Sequence, residues 1–485
     1  MQTIVLTGLL TSKFSRVAVP KGTKTLTYLM LTGGRVVNSD GQIDADVLIR
    51  DGKVEALGNL SSLEIDDMQR VDCTGRLLLP GGVDVHTHLD SPMMGMTTAD
   101  DFESGTKAAA CGGTTTLVDF AMQTKGDGLL GSLENHRNKA RDKAVIDYGF
   151  HMCITDLYRG ATDEFAEIMQ TGVTSFKVFM AYRGTLMLHD GELFDVLRAS
   201  SKVGGQVCVH AENGDVIDRM AADLVAAKKT GPGSHEISRP PATEVEAVQR
   251  AISISRMADS PIYFVHLSTE GAVAAVSEAQ SGGWAVAGET CTHYLTLDRA
   301  LYDQPGFEAA KVVLTPPLRG KEHRDALWRG LRGGTLSIVS SDHCPFCFED
   351  KKRLGGDDFR LIPNGGPGVE HRLSVIYGEG VMQGRISLEK FVELTSTAPA
   401  RQFGLFPRKG AIAPGSDADI IVFDPNGRTL ITAETQNQRM DYTPYEGWDL
   451  PGAMTAVYSR GDLIAENGKY VGAEGRGQFL QRATL

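Results

Sequence analysis

The chain has 485 residues, of which 41% are hydrophobic and 23% charged, and its 61 acidic against 49 basic side chains leave a formal net charge of −12. This length exceeds one small core and suits a large domain with an accessory one. The acidic balance argues against a nucleic-acid surface, no apolar run reaches membrane-spanning length, and seven cysteines form no disulfide framework but point to reduced thiols in the cytoplasm.

Residues 1–29 contain no acid, have no basic start before their short apolar run and show no clear small-residue cleavage site. They are expected to be a poorly ordered extension rather than a secretory signal. Residues 30–78 have a β texture: "LTGGRVVN" leads to "DADVLIRDGKVEALG", and Asp51-Gly52 is a hairpin signal between alternating runs. Residues 79–407 alternate. Short β-rich runs at 83–89, 115–120, 148–155, 175–180, 206–211, 262–266, 284–289 and 336–341 are mostly separated by helical stretches such as "DEFAEIMQTG" and "ATEVEAVQRAISISRMA". Eight strands with helices between them predict an α/β protein built on a (β/α)8 TIM barrel. A doubly wound sheet would need a glycine-rich phosphate loop after its first strand, and none is present. Residues 408–485 return to β, with a strand at 418–425, turn signals at Arg460-Gly461 and Asn467-Gly468, and a tail. The two β-rich ends are expected to pack together as one small β domain.

Polar residues fall at telling places in this pattern. His86, His88, His210 and His266 lie at or beside the C-terminal ends of strand runs one, five and six, and Asp342 follows run eight. That rim of a barrel carries active sites. His86 and His88 share a strand face by the period of two and can hold one ion together; His210 and His266 would serve a second. Imidazole and carboxylate donors suit zinc, with manganese or cobalt as alternatives. Lys177, inside "TSFKVFMAY", is a lysine in a buried strand, where an unpaired ammonium costs several kcal/mol, about 3–5 when one partner of a buried pair is missing. Two readings fit it. Its amine has added carbon dioxide, which turns it into a carboxylate that bridges two cations, or it remains an ammonium paired with an acid such as Asp342. Cys344 and Cys347 have CxxC spacing, but no second pair exists to complete a zinc knuckle, so they read as ordinary thiols.

These segments resemble the dihydropyrimidinase/hydantoinase family of cyclic amidohydrolases over nearly all of residues 31–482. The motifs are "GGVDVHTHLD", "GVTSFKVFMAY", "VHAENGD", "VHLSTEGA", "GETCTHYL", "LTPPLR", "SSDHCPF", "NGGPGVEHR" and the tail beginning "DYTPYEGW". The resemblance implies a barrel with a β-sandwich made from both chain ends. It implies two zinc ions per subunit bridged by carboxylated Lys177 and a hydroxide, with His86, His88 and Asp342 on one ion and His210 and His266 on the other. It implies that Asp342 moves the proton, that Tyr182 stabilises the developing oxyanion, and that Thr315 and Asn364 hold a cyclic ureide or imide ring through backbone groups. Thr315 stands where the family usually has serine. The tail is similar to family tails that support homotetramers.

Other members of the same broad group set the alternatives. Dihydroorotases and allantoinases typically place an arginine or Asn-Glu-Pro-Gly soon after HxH. Here "HTHLDSPMMGM" supplies no cation there, and Met93, Met94 and Met96 read either as an adaptable apolar pocket wall or as core. Cytoskeleton-associated relatives keep the fold and lose metal ligands; in this chain all six ligand positions are filled. The expected activity is hydrolytic opening of dihydropyrimidines or 5-substituted hydantoins to N-carbamoyl amino acids.

Overall fold

The structure, a computed structural model, describes residues 27–484. Most of the expected N-terminal extension lies outside these residues. Its last part does not: Tyr28–Thr32 is already a strand, paired with Asp46–Arg50 on one side and Gln69–Asp72 on the other, so the β domain starts two residues earlier than the sequence reading placed it.

Both chain ends build the β domain. A four-stranded sheet runs in the order Lys53–Gly58, Asp46–Arg50, Tyr28–Thr32, Gln69–Asp72. In a seven-stranded sheet, Ile420–Leu430 of the C-terminal part pairs antiparallel with Leu77–Pro80 of the N-terminal part. Leu31, Val47 and Ile49 of the first sheet share one core with Val36, Leu78, Ile420 and Val422 of the second. The hairpin at Asp51-Gly52 forms as expected, because both residues take the positive φ (50° and 80°) that a tight two-residue turn requires. A second hairpin, Arg35–Asn38 with Gly41–Asp44, divides a stretch that read as one run; Gly33 (φ 69°) breaks the chain before it.

The middle of the chain forms eight parallel strands: β1 (Gly82–Thr87), β2 (Thr114–Met122), β3 (Asp147–Cys153), β4 (Ser175–Phe179), β5 (Gln206–His210), β6 (Ile262–Phe264), β7 (Val286–Cys291) and β8 (Ile338–Ser340). They hydrogen-bond in sequence order, and a bridge between Thr87 and His343 closes the last onto the first. Nearly every strand residue is buried, as expected where helices cover a parallel sheet from outside and side chains fill it from within. Val83, Val85, Phe120, Cys208, Tyr263 and Ile338 form the interior packing, with Phe403 and Leu480 against it. No helix among the described residues is long and apolar enough to cross a membrane.

A buried charge cluster ties the two domains together. Lys409 Nζ lies 2.7 Å from Asp147 on β3 and 2.8 and 3.0 Å from Asp419 and Asp417 in the C-terminal part. Lys409→Met would leave these carboxylates without their central cation and should destabilise the fold by about 3–5 kcal/mol. Urea denaturation read at pH 7 would measure it; a loss below about 1 kcal/mol would contradict the account. The cluster also sets an acid limit. Burial alone would raise Asp417, but Lys409, Lys53 and Arg408 hold it down to about 2 from its ordinary 3.8. Its contribution is therefore complete above pH 3.8 and is lost as pH falls through 2.

Candidate metal centre and active site

Three local devices aim the polar residues into one pocket. Strand alternation places Lys177 on the same face as Phe179, and His210 on the same face as Cys208, so both point into the barrel. On β1, however, the interior residues Val83 and Val85 have the opposite parity to His86 and His88. A bulge resolves this: three steps along β1, from Asp84 to Thr87, match two along β2, from Leu117 to Asp119. Asp119 then fixes the exit of the strand, accepting from Thr87 Oγ1 at 2.6 Å and from the Leu89 N–H at 2.9 Å, on either side of His88. The third device is left-handed backbone. His266 (φ 41°), Asp342 (φ 46°) and Tyr182 (φ 67°) all occupy the region that side-chain-bearing residues avoid. Such strain costs about 1–3 kcal/mol per residue and clusters at functional sites.

The result is a compact donor set. His86 Nε2 lies 2.9 Å from Asp342 Oδ1 and His88 Nε2 lies 3.4 Å from it. His210 Nδ1 is 2.9 Å from His266 Nε2. Ligand atoms of His86, His266 and Asp342 lie within 4.8 Å of one another. All four histidines and Lys177 are buried, whereas the Asp342 side chain keeps 14% exposure toward the pocket. His86, His88, Lys177, Tyr182, His210, His266, Thr315, Asp342 and Asn364, the nine residues to which the family resemblance gives a role, line this one pocket with Met93, Leu314 and Gly365.

The electrostatics suit a cation. Burial by itself would lower His86, yet Asp342 and Glu289 push it up to about 9. Burial lowers His210 and His266, keeping them as the neutral imidazoles that metal ligation requires. His88 Nδ1 is buried with no partner. The pairing of Lys177 with an acid does not form: no carboxylate lies within ion-pair range among the described residues, and its Nζ sits 5.0 Å from the ring centres of Phe120 and Phe179. Burial lowers its pKa, which favours the neutral amine. Four imidazoles, a carboxylate and an unpaired amine fit a metal centre.

The sequence reading missed the acids behind these candidate ligands. Glu289 Oε1 is 2.5 Å from His86 Nδ1, and Glu212 Oε2 is 3.0 Å from His210 Nε2. Such partners fix ring orientation. Arg239 Nη1 in turn meets Glu212 at 2.8 Å, and its guanidinium lies 5.6 Å from the Tyr182 ring centre. Burial would raise Glu212, but Arg239 and His210 hold it down to about 2. Tyr182 is pushed up by burial, with Arg239 and the Thr315 and Asn364 side chains acting against it.

A vestibule of about 380 Å³ adjoins the pocket and shares Tyr182 and Asn364 with it. Met94, Ile217 and Phe359 give it apolar walls, and Arg183, Arg239 and Arg360 line it too. The expectation that no cation stands near the substrate therefore needs correction, although these arginines face Asp215, Glu212 and Asp358 respectively. Met93 lines the pocket and Met94 the vestibule, whereas Met96 lines neither.

Comparison with known proteins agrees with this geometry. The amidohydrolase family profile matches residues 77–464. The chain is 45% identical over 455 residues to the D-hydantoinase of Geobacillus stearothermophilus, covering 94% of this chain and 96% of that one. It is 44% identical over 458 residues to the D-hydantoinase of Streptomyces coelicolor, covering 94% and 98%. The crystal structure of dihydropyrimidinase from Brevibacillus agri NCHU1002 superposes with a TM-score of 0.92 at 46% identity, covering 94% of this chain and 99% of that one. The chain belongs to the amidohydrolase family, in its dihydropyrimidinase and D-hydantoinase branch.

Proposed function

We propose that this enzyme opens the ring amide of neutral cyclic ureides, 5-substituted hydantoins and 5,6-dihydropyrimidines, to give N-carbamoyl amino acids. The observation that carries the reading is the convergence of four histidines, Asp342, Lys177 and Tyr182 on one pocket next to an open vestibule. His86, His88 and Asp342 would hold one zinc ion and His210 and His266 a second, with Lys177 between them as a carbamate. The neutral amine of Lys177 adds carbon dioxide and loses one proton, which puts an anion where an uncharged amine stood. When bound, such a pair of ions acidifies a shared water and polarises a carbonyl.

The chain's own groups do the rest. Thr315 and Asn364 hold the ring through their backbone. The Tyr182 hydroxyl donates to the carbonyl oxygen as negative charge builds on it. Asp342 accepts the proton of the attacking water and returns it to the ring nitrogen as the C–N bond breaks. A C5 substituent extends into the vestibule. Tyr182→Phe should lower kcat by about 10²–10³ with metal content unchanged, because one preorganised donor is lost. Steady-state kinetics with elemental analysis checks this, and normal turnover would reduce Tyr182 to a packing role.

Dihydroorotate tests the substrate class. Its carboxylate would have to enter a site whose arginines already face carboxylates, so desolvation goes uncompensated. Its kcat/KM should fall at least about 10²-fold below that of dihydrouracil. Comparable values for the two would reject the neutral-ureide reading. We also infer a cytoplasmic homotetramer. All seven cysteines are free, and six of them are buried, which accords with a reducing compartment, and the tail resembles those of tetrameric relatives. A solution mass of four chains by sedimentation is the expected result.

A further inference from the structure

Lys351 is fully buried on the helix Phe348–Gly355 and has no carboxylate within ion-pair range among the described residues. Its ammonium instead meets three backbone carbonyls, those of Ala310 at 3.0 Å, Val313 at 3.4 Å and Gly365 at 2.6 Å. An ammonium has three donors, and here there are three acceptors. Burial draws its pKa down to about 7, so the group is held against a real desolvation cost. The contrast with Lys409 is instructive: there three acids surround the cation, and here only peptide oxygens do.

The position of these carbonyls gives the arrangement meaning. Val313 leads directly into Leu314 and Thr315, and Gly365 directly follows Asn364; Leu314, Thr315, Asn364 and Gly365 all line the pocket. The two segments also meet through the Gly365 N–H, which donates to the Val313 carbonyl at 3.0 Å. Only glycine fits at position 365. Its φ is 146°, and a Cβ there would lie 2.3 Å from the Cys344 carbonyl. His235 braces the same wall from another side, donating from Nε2 to the Leu314 carbonyl at 2.7 Å. The helix carrying Lys351 is itself anchored, since Asp441 accepts from the Phe348 and Glu349 N–H groups at 2.7 and 3.2 Å.

We infer that Lys351 is a positioning residue for substrate: its ammonium clamps the Val313 and Gly365 carbonyls together and so sets the distance between the two segments that offer Thr315 and Asn364 to the ring. This rests on the assignment of Thr315 and Asn364 to ring binding. The clamp acts on how the ring is held and leaves the metal ligands, Tyr182 and Asp342 in place. Its removal therefore weakens ground state and transition state together, which appears in KM and not in kcat.

The experiment uses Lys351→Met, with Lys351→Gln as a milder variant that keeps two N–H donors should the first fail to fold. Each is compared with wild type for kinetics on dihydrouracil and hydantoin, for metal content, and for amide hydrogen exchange by mass spectrometry. The expected result for Lys351→Met is a KM raised about tenfold with kcat within about threefold and metal content unchanged. Exchange should speed up in peptides covering 310–316 and 362–367 and stay at the wild-type rate over the barrel strands. Lys351→Gln should fall between the two. A folded variant with wild-type KM and unchanged exchange in those peptides would overturn the inference, and so would a fall in kcat at constant KM. Faster exchange there with no change in KM would reject the substrate role and leave only a structural clamp. Wild-type protein inactive on every ureide would instead overturn the functional reading; the exchange measurement would still decide whether Lys351 holds the two segments.

Discussion

Lys177→Arg should give a folded protein that purifies with far less zinc than wild type and has almost no activity on hydantoin or dihydrouracil. Lys177→Ala would be less informative, because any role for Lys177 predicts harm. Arginine keeps a positive charge and pairs with carboxylates at least as well as lysine does, so it preserves an ordinary ion pair. It does not form a stable carbamate, so it cannot supply an anion between two cations. It would place a fixed positive charge among His86, His210 and His266, where repulsion is poorly screened. The surroundings make this test sharp. No acid pairs with Lys177 among the described residues, and its Nζ faces the rings of Phe120 and Phe179. A structural cation would have little to lose on becoming arginine beyond the extra volume. Metal content by elemental analysis and far-UV circular dichroism separate loss of the centre from loss of the fold. Full metal and near-normal turnover in Lys177→Arg would mean that the bridging anion comes from elsewhere.

How much of this site could be read from the sequence depended on the local backbone. Lys177 and His210 obey simple alternation on their strands, so their inward direction follows from Phe179 and Cys208 two residues away. The His86-Thr87-His88 spacing showed that two imidazoles share a face, but not which face. Counting from Val83 and Val85 would have pointed them out of the barrel, and only the bulge against β2 turns them in. His266, Asp342 and Tyr182 are turned by left-handed backbone, which leaves no mark in the sequence when the residue is not glycine. Glu289 did leave a signal, an acid at the end of "WAVAGE". The β-rich run ends there, yet the strand continues to Cys291, so this acid is inside the barrel wall and not on a loop. Arg183, Arg239 and Arg360 are far apart in the chain and share no spacing; the fold alone brings them to one vestibule. The eight strand runs were legible because a parallel sheet covered on both sides demands short, nearly continuous apolar segments. The division of the N-terminal β region was not, because it depends on Gly33 adopting a positive φ within "LTGG".

Asp342→Asn should separate the two duties proposed for one carboxylate. The asparagine keeps an oxygen where Oδ1 now meets His86 Nε2 at 2.9 Å and His88 Nε2 at 3.4 Å, so a donor to metal remains, although it is neutral and weaker. An amide oxygen cannot take a proton from water and pass it to the leaving nitrogen. Metal content should therefore fall only in part and recover when zinc is supplied in excess. Turnover should stay low under the same conditions, reduced by about 10²–10⁴, the range that a positioned acid–base group contributes. The position of Asp342 supports the second duty. It is held at φ 46° two residues beyond the end of β8, and it keeps side-chain exposure toward the pocket while the histidines around it are buried. Zinc titration followed by single-turnover hydrolysis makes the distinction, because it reads chemistry on protein whose metal content is known. If zinc restores Asp342→Asn to within about tenfold of wild type, another group moves the proton. The first to test would then be His293, whose Nε2 is buried without a partner and whose ligand atom lies within 4.8 Å of those of Asp342 and Cys291.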